Sequence, residues 1–323
     1  MNFIKPLQIG TLKLKNNIAF SPLAGCTDLP YRRVVNLYRP ALFFCEMVKM
    51  DALTRHDKGT YRILSYTHDM HPIGAQIVGS KPKLAREAAK IIEDLGFDII
   101  DLNCGCPVDK VTKDCGGSGL LKQPNLIGEI LSEMLSVVKI PVTCKIRVGW
   151  DDQNIVAPQV TRIAEEAGAK AIFVHGRTRE QGYKGLANRQ LIKACVDARK
   201  VMPVFGNGDI FDTESAKDMF VTTGCDGILI SRGTLGAPWI ASLIEAELSG
   251  GNFAHPIDDD FIKDLLEKHF AYSKSFNDDR KTLVDMRKVT TWSYKTRPQI
   301  AEFRDRVNEA KTLDQLTALI NTR

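Results

Sequence analysis

Apolar residues along this chain follow two alternating rhythms. Short apolar runs read as strands: Ile18–Leu23, Leu42–Met47, Ile73–Ile77, Ile99–Asn103, Val142–Ile146, Ala171–His175, Val204–Asn207 and Gly227–Ile230. Between most of them lie segments with apolar residues three and four positions apart, including Pro82–Leu95, Pro124–Val138, Val156–Ala167 and Thr213–Thr223. Three of these helical patterns end at a glycine followed by a strand, at Gly96, Gly168 and Gly224, where glycine supplies the left-handed conformation that stops a helix. Eight strands in regular alternation with helices predict the α/β class and a (β/α)8 TIM barrel. The alternative, a doubly wound open sheet, calls for a glycine-rich phosphate loop after the first strand. That place holds Ser21-Pro22-Leu23-Ala24-Gly25, and the barrel is preferred.

After Leu248 the pattern changes. Residues 249–257 (Ser-Gly-Gly-Asn-Phe-Ala-His-Pro-Ile) read as a linker, and 258–323 show helical periodicity with no strand run. The expected organisation is a catalytic barrel over 1–248, a linker over 249–257, and a bundle of three or four helices over 258–323.

Composition narrows the picture modestly. The chain has 323 residues, 44% hydrophobic and 26% charged, as expected of a soluble globular protein, and its net charge of +5 permits a polyanionic partner without requiring one. Met1–Lys15 carries three lysines and no long apolar run, and nothing approaches the roughly 18 apolar residues of a membrane span. The eight cysteines are scattered, several within apolar runs, and are expected to be free thiols in a reducing cytoplasm. Cys104-x-Cys106 and Cys115 lack a second pair and a histidine at finger spacing, so no metal site is expected. Arg280 to Arg297 holds six basic residues against Asp285, with Lys288, Trp292 and Lys295 on one helical face. Such a stretch is either a solvated face or a surface for a nucleic-acid backbone.

Chemistry concentrates at the strand ends, which share one mouth in a barrel. Asp101-Leu102-Asn103-Cys104-Gly105-Cys106-Pro107 breaks from a strand into a turn that carries a thiol. By position alone Cys106 could be nucleophile, metal ligand, acid or bystander. The third strand ends near Gln76, the fifth at Lys145 and Arg147, and the sixth at His175. A lysine inside an apolar strand is either a rim residue snorkelling to water or a fixed cation facing developing negative charge. Asn207-Gly208-Asp209 and Ser231-Arg232-Gly233 follow strands seven and eight, where barrels bind phosphate. A phosphate cradle with a lysine, an amide and an imidazole suits flavin mononucleotide, and no adenine-binding fingerprint argues for a dinucleotide.

Five motifs in register resemble the tRNA-dihydrouridine synthases. They are Ser21-Pro22-Leu23-Ala24-Gly25-Cys26-Thr27-Asp28 with Pro30 and Arg32, Asn103-Cys104-Gly105-Cys106-Pro107, Lys145-Ile146-Arg147, His175-Gly176-Arg177-Thr178 and Asn207-Gly208-Asp209. The helical tail resembles that family's RNA-binding domain. The resemblance implies FMN as cofactor, NADPH as reductant, and reduction of a D-loop uridine in tRNA to 5,6-dihydrouridine, in a cytoplasmic monomer. It implies Cys106 as proton donor and Pro22, Leu23, Ala24, Gln76, Lys145, His175, Asn207, Gly208, Asp209, Ser231 and Arg232 as FMN contacts. Asn103 and Arg147 would lie near the substrate, and Arg287 and Lys288 would meet the tRNA. Leu23 stands where the family often has Met, and Ser231 where Gly is usual before the arginine. An ordinary thiol, with a pKa of about 8.5, is mostly protonated at neutral pH and able to act as an acid. The competing readings are an FMN-dependent reductase of a free pyrimidine, similar to dihydroorotate dehydrogenase, and a non-catalytic RNA-binding barrel.

Overall fold

The computed structural model describes residues 3–323. Eight parallel strands form the barrel: β1 Ile18–Phe20, β2 Leu42–Phe44, β3 Ile73–Val78, β4 Ile99–Cys104, β5 Val142–Arg147, β6 Ile172–His175, β7 Val204–Asn207 and β8 Gly227–Ile230. Neighbours pair in sequence order, β8 pairs with β1, and β2 pairs with β3 through Phe43 and Ile73, so the sheet closes as a TIM barrel. β1 and β2 are shorter than their apolar runs. Pro22 lacks the N–H a ladder needs, and Val48–Lys49 forms a separate short strand against the end of β3.

Strand alternation sorts the side chains. Ile18, Ile100, Cys144, Val174 and Ile228 pack outward in the main core with the surrounding helices. Ala19, Leu42, Phe44, Ile99, Ala171, Phe173, Phe205 and Leu229 fill the barrel floor. A hairpin of Leu7–Ile9 and Leu12–Leu14 closes that end, with Ile9 and Leu14 in the same cluster. Two interior positions must be glycine. A Cβ at Gly74 would sit 2.3 Å from the Phe44 ring, and one at Gly227 would sit 2.4 Å from that of Phe205. Toward the strands' C-terminal ends the inward register becomes polar, through Gln76, Asp101, Asn103, Thr143, Lys145, His175 and Asn207.

The three glycine stops are all left-handed, with φ of 85° at Gly96, 99° at Gly168 and 66° at Gly224. No helix or strand occupies 249–257, and four helices follow: Asp259–Phe276, Asp279–Ser293, Ile300–Glu309 and Leu313–Asn321. Asp258, Asp278 and Thr312 cap three of them by accepting backbone N–H groups. The second helix stops at Ser293, so Lys295 does not continue the face of Lys288 and Trp292; its Nζ instead donates to the Leu235 carbonyl at 2.9 Å. Asp259–Phe276 packs on the barrel helix Leu29–Asn36. There the His269 ring meets Tyr31 edge-on at 5.7 Å, and the Tyr31 hydroxyl donates to the Thr234 carbonyl.

Burial pushes the His269 imidazole down to about 3. An unfolded imidazole, with a pKa of about 6.5, takes up a proton that folded His269 refuses, so stability rises with pH across that interval and is lost on acidification. Between pH 7.5 and 5 His269 alone should remove about 2 kcal/mol of unfolding free energy. Urea unfolding of His269→Leu over this range should show a shallower pH slope than the wild type. An unchanged slope would contradict the assignment.

Candidate active site

A cavity of about 420 Å³ opens at the C-terminal end of the barrel, within the size range of small-molecule sites. All of Pro22, Leu23, Ala24, Gln76, Asn103, Cys106, Lys145, Arg147, His175, Asn207, Gly208, Asp209, Ser231 and Arg232 line it. Arg287 and Lys288 lie elsewhere. The Arg287 guanidinium donates to the Ala310 carbonyl, between two tail helices, and is half-buried there. Lys288 lines a second cavity of about 210 Å³ between the barrel and the tail, with Lys281, Arg62 and Trp292. Cys26, to which the sequence reading gave no role, lines both cavities.

The turn after β4 is held from two sides. Asn103 Oδ1 accepts the backbone N–H groups of Gly105 at 3.1 Å and Cys106 at 2.8 Å. Arg147 Nε donates to the Gly105 carbonyl at 3.0 Å, while its Nη1 reaches the carbonyls of Thr178 and Gly182 at 2.7 and 2.8 Å. Cys106 is partly exposed in the cavity, whereas Cys104 is fully buried in the outer core. Cys45, Cys144, Cys195 and Cys225 are also buried. Cys115 differs from these buried cysteines. It sits exposed in the turn after the short helix Asp109–Thr112, with φ of 56°.

Opposite the thiol, the loops after β7 and β8 come together at the cavity wall. Asn207 Nδ2 donates to the Leu229 carbonyl at 2.6 Å and to Ser231 Oγ at 3.0 Å, tying the two loops together. Ser231 has φ of −111°, so the departure from the family pattern does not fall on a left-handed position that favours glycine. Gly208 does need to be glycine. Its φ is 116°, and a Cβ would lie 2.6 Å from that of Ala187.

The Asp209 carboxylate faces arginines. It accepts both oxygens' bonds from Arg177 Nη2 at 2.8 Å, one from Arg232 Nη2 at 3.2 Å, and one from the Ala187 N–H at 2.8 Å. Burial opposes its charge, but these bonds outweigh it and hold the carboxyl below its ordinary range. Asp209 therefore aims Arg232, whose guanidinium also stacks 4.5 Å from the Tyr183 ring. Burial, then the charges of Lys145, Arg147, Arg177 and Arg232, drive His175 well below its usual pKa and keep it neutral. Arg177 Nη1 approaches His175 Nε2 at 3.4 Å. A guanidinium can only donate, which places the ring proton on Nδ1. Burial and then Arg147 lower Lys145 to about 8, and its ammonium pairs with no carboxylate among the described residues.

Several lining or supporting residues escaped the sequence reading. Arg177 and Asp101 lie inside the motifs at β6 and β4, but nothing in their sequence context marks a role for either. Tyr183 sits in a loop with no periodic signal, and Met47 follows an interrupted strand. A buried arginine beside a left-handed aspartate is visible only once β6 and β7 are neighbours.

An anion cradle, a free cation and an accessible thiol gathered over a barrel's strand ends mark a ligand-binding (β/α)8 enzyme. The chain belongs to the dihydrouridine synthase family, described as "Dihydrouridine synthase (Dus)", whose model matches residues 18–323. It is 39% identical over 303 residues to the tRNA-dihydrouridine synthase B of Pseudomonas putida, covering 94% of this chain and 89% of that one. It is 36% identical to a probable tRNA-dihydrouridine synthase of Rickettsia bellii, with 94% and 93% covered. Among solved structures it is similar in fold to a histamine dehydrogenase from Rhizobium sp. 4-9, with a TM-score of 0.57 at 14% identity. That match covers 85% of this chain, which spans about half (51%) of the longer enzyme.

Arg177 is 2% exposed and Asp209 is its carboxylate partner. Asp209→Ala would leave that buried charge with only the Gly185 and Lys184 carbonyls as acceptors and should cost about 3 kcal/mol or more of stability, measured by chemical denaturation. A loss below about 1 kcal/mol would show that Arg177 does not depend on it.

Proposed function

We propose that the protein is a tRNA-dihydrouridine synthase that reduces the C5=C6 bond of a D-loop uridine, with flavin mononucleotide as cofactor, NADPH as reductant and Cys106 as proton donor. The observation that carries this reading is the placement of the Cys106 thiol and the unpaired Lys145 ammonium in one cavity with the β7–β8 cradle.

The donor set suits a flavin mononucleotide. Pro22, Leu23 and Ala24 offer an apolar wall for a flat ring. Gln76 has a second amide N–H free for a ring carbonyl, because its first is spent on Asp101. Lys145 supplies the cation for the ring's electron-rich edge, and Arg232, the Gly208 and Gly233 backbones and Ser231 suit the phosphate. Bound there, a flavin would supply hydride chemistry for uracil C6, with NADPH as the source of its electrons.

The chain's own residues do the rest. Cys106 gives its proton to C5 as negative charge develops there, and the new C5–H bond completes dihydrouridine. Asn103 and Arg147 keep that thiol at the cavity wall by holding the Gly105–Cys106 peptide through both its N–H and its carbonyl. His175, neutral, adds no further positive charge beside Lys145. The target uridine must leave its stack to reach the cavity. Residues 258–323 serve as the tRNA-binding part, joined to the barrel of 1–248 through 249–257. A free pyrimidine would need no such added part; Trp292 and the exposed Lys288 border the cavity between the two, where Asp285 pairs with Lys281 and Lys288.

Cys106→Ala should retain flavin and NADPH oxidation while dihydrouridine formation in tRNA falls about 100-fold or more; unchanged tRNA reduction would sink the proton-donor role. Lys145→Ala should retain less flavin after dialysis or reduce it more slowly with NADPH. A variant with wild-type flavin content and kinetics would refute the placement of that lysine.

A further inference from the structure

Asp101 is 1% exposed, does not line the cavity, and yet stands at the head of a chain of hydrogen bonds that ends on the Cys106 backbone. Thr143 Oγ1 donates to Asp101 Oδ1 at 2.8 Å, and Gln76 Nε2 donates to Asp101 Oδ2 at 2.7 Å. Asn103 Nδ2 donates to Gln76 Oε1 at 2.7 Å, and Asn103 Oδ1 accepts from Gly105 and Cys106. The chain crosses β3, β4 and β5, where Gln76 pairs with Asp101 and Asp101 with Thr143 in register.

Each carboxamide in this chain has a donating end and an accepting end, and nothing in its shape distinguishes them. A carboxylate has acceptors only. Facing Asp101, Gln76 must present its N–H, which turns Oε1 toward Asn103. Asn103 then presents its own N–H to Gln76, and its oxygen is left for the two backbone donors of the turn. Reversing either amide would set N–H against N–H in a buried site.

We propose that Asp101 is a positioning residue that fixes the direction of the Gln76–Asn103 hydrogen-bond chain and thereby the placement of the Cys106 turn. The inference rests on Cys106 being the proton donor. Burial pushes the Asp101 carboxyl up to about 7, against the hydrogen bonds from Gln76 and Thr143 and the charge of Lys145, so the direction must survive protonation. Thr143 provides for that. Its hydroxyl also lies 3.4 Å from the Ile100 carbonyl and can donate there while accepting a hydrogen bond from a protonated Asp101. The oxygen facing Gln76 is then undisturbed.

The same hydroxyl makes the inference testable through a conservative variant. In Asp101→Asn, the new N–H can turn to Thr143 and the oxygen to Gln76, preserving direction. In Asp101→Asn combined with Thr143→Val, no acceptor remains for that N–H, and direction is lost. Asp101→Leu removes the acceptor outright. Turnover of tRNA per bound flavin should fall about tenfold or more in Asp101→Leu and in the Asn/Val double variant. KM for tRNA should stay within about threefold, and Asp101→Asn should keep kcat within about threefold of wild type. A merely structural role would not produce rescue by Asn that vanishes with the Thr143 hydroxyl.

Wild-type turnover in flavin-loaded Asp101→Leu would overturn the proposal, as would an Asp101→Asn variant as slow as the double. If Asp101→Leu loads no flavin, the comparison of Asp101→Asn with the double variant decides. Cys106→Ala is run alongside. Full turnover there would overturn the proton-donor reading itself, whereas its loss with unaffected Asp101 variants overturns only the positioning role.

Discussion

Four cationic side chains, Lys145, Arg147, Arg177 and Arg232, converge on the mouth of the barrel, close enough that together with burial they hold His175 neutral. Gathering like charges in a poorly solvated site is unfavourable unless each has a partner. Asp209 answers Arg177 and Arg232, and backbone carbonyls from two loops occupy Arg147. Lys145 is left with its pKa lowered and no carboxylate of its own among the described residues. The site is therefore built with one unmet positive charge beside a cradle of small residues. That is the electrostatic preparation an anionic, electron-accepting ligand would exploit, with no reorganisation needed when it binds.

This charge is tolerable because of where the barrel puts it. Inward-facing positions are apolar at the floor, where Phe44, Phe173 and Phe205 pack and Gly74 and Gly227 make room for two of them. Two or four residues further along the strands, the same face carries Gln76, Asp101, Asn103, Lys145, His175 and Asn207. The outward face stays apolar throughout and binds the helices. A single alternation thus fixes a dry floor, a rigid wall and a polar rim, and the rim residues inherit that rigidity.

The alternation is also why the fold and most of the cavity were legible in the sequence. Polar residues that end apolar runs, such as Lys145 and His175, could be placed at one mouth once eight strands were counted. β7 and β8 matched their predicted bounds because Pro203 and Gly208 bracket the one and Asp226 and Ser231 the other. What stayed hidden depended on pairing across the chain. The bond from Arg177 to Asp209 spans 32 positions, and that from Gln76 to Asp101 spans 25. Arg287 was read as exposed from its basic neighbours, but helical periodicity cannot foresee that the Ala310 carbonyl will claim it. Lys295 was carried past a helix end that Tyr294 closes without glycine or proline to announce it.

The two thiols of the Asn103–Pro107 turn show how fine this positional control is. Cys104 is the last residue of β4 and faces outward, where burial pushes its thiol well above the ordinary range and the helical layer shuts it off from the cavity. Cys106 lies two residues on, and in an uninterrupted strand it would face outward as well. The turn prevents this. Asn103 draws the N–H groups of Gly105 and Cys106 back toward the interior, and Gly105 lies within 3.4 Å of the β5 backbone where a Cβ would stand, with Arg147 gripping its carbonyl. The strand's pleat assigns Cys104 to packing, and the hydrogen bonds that end the strand assign Cys106 to the cavity.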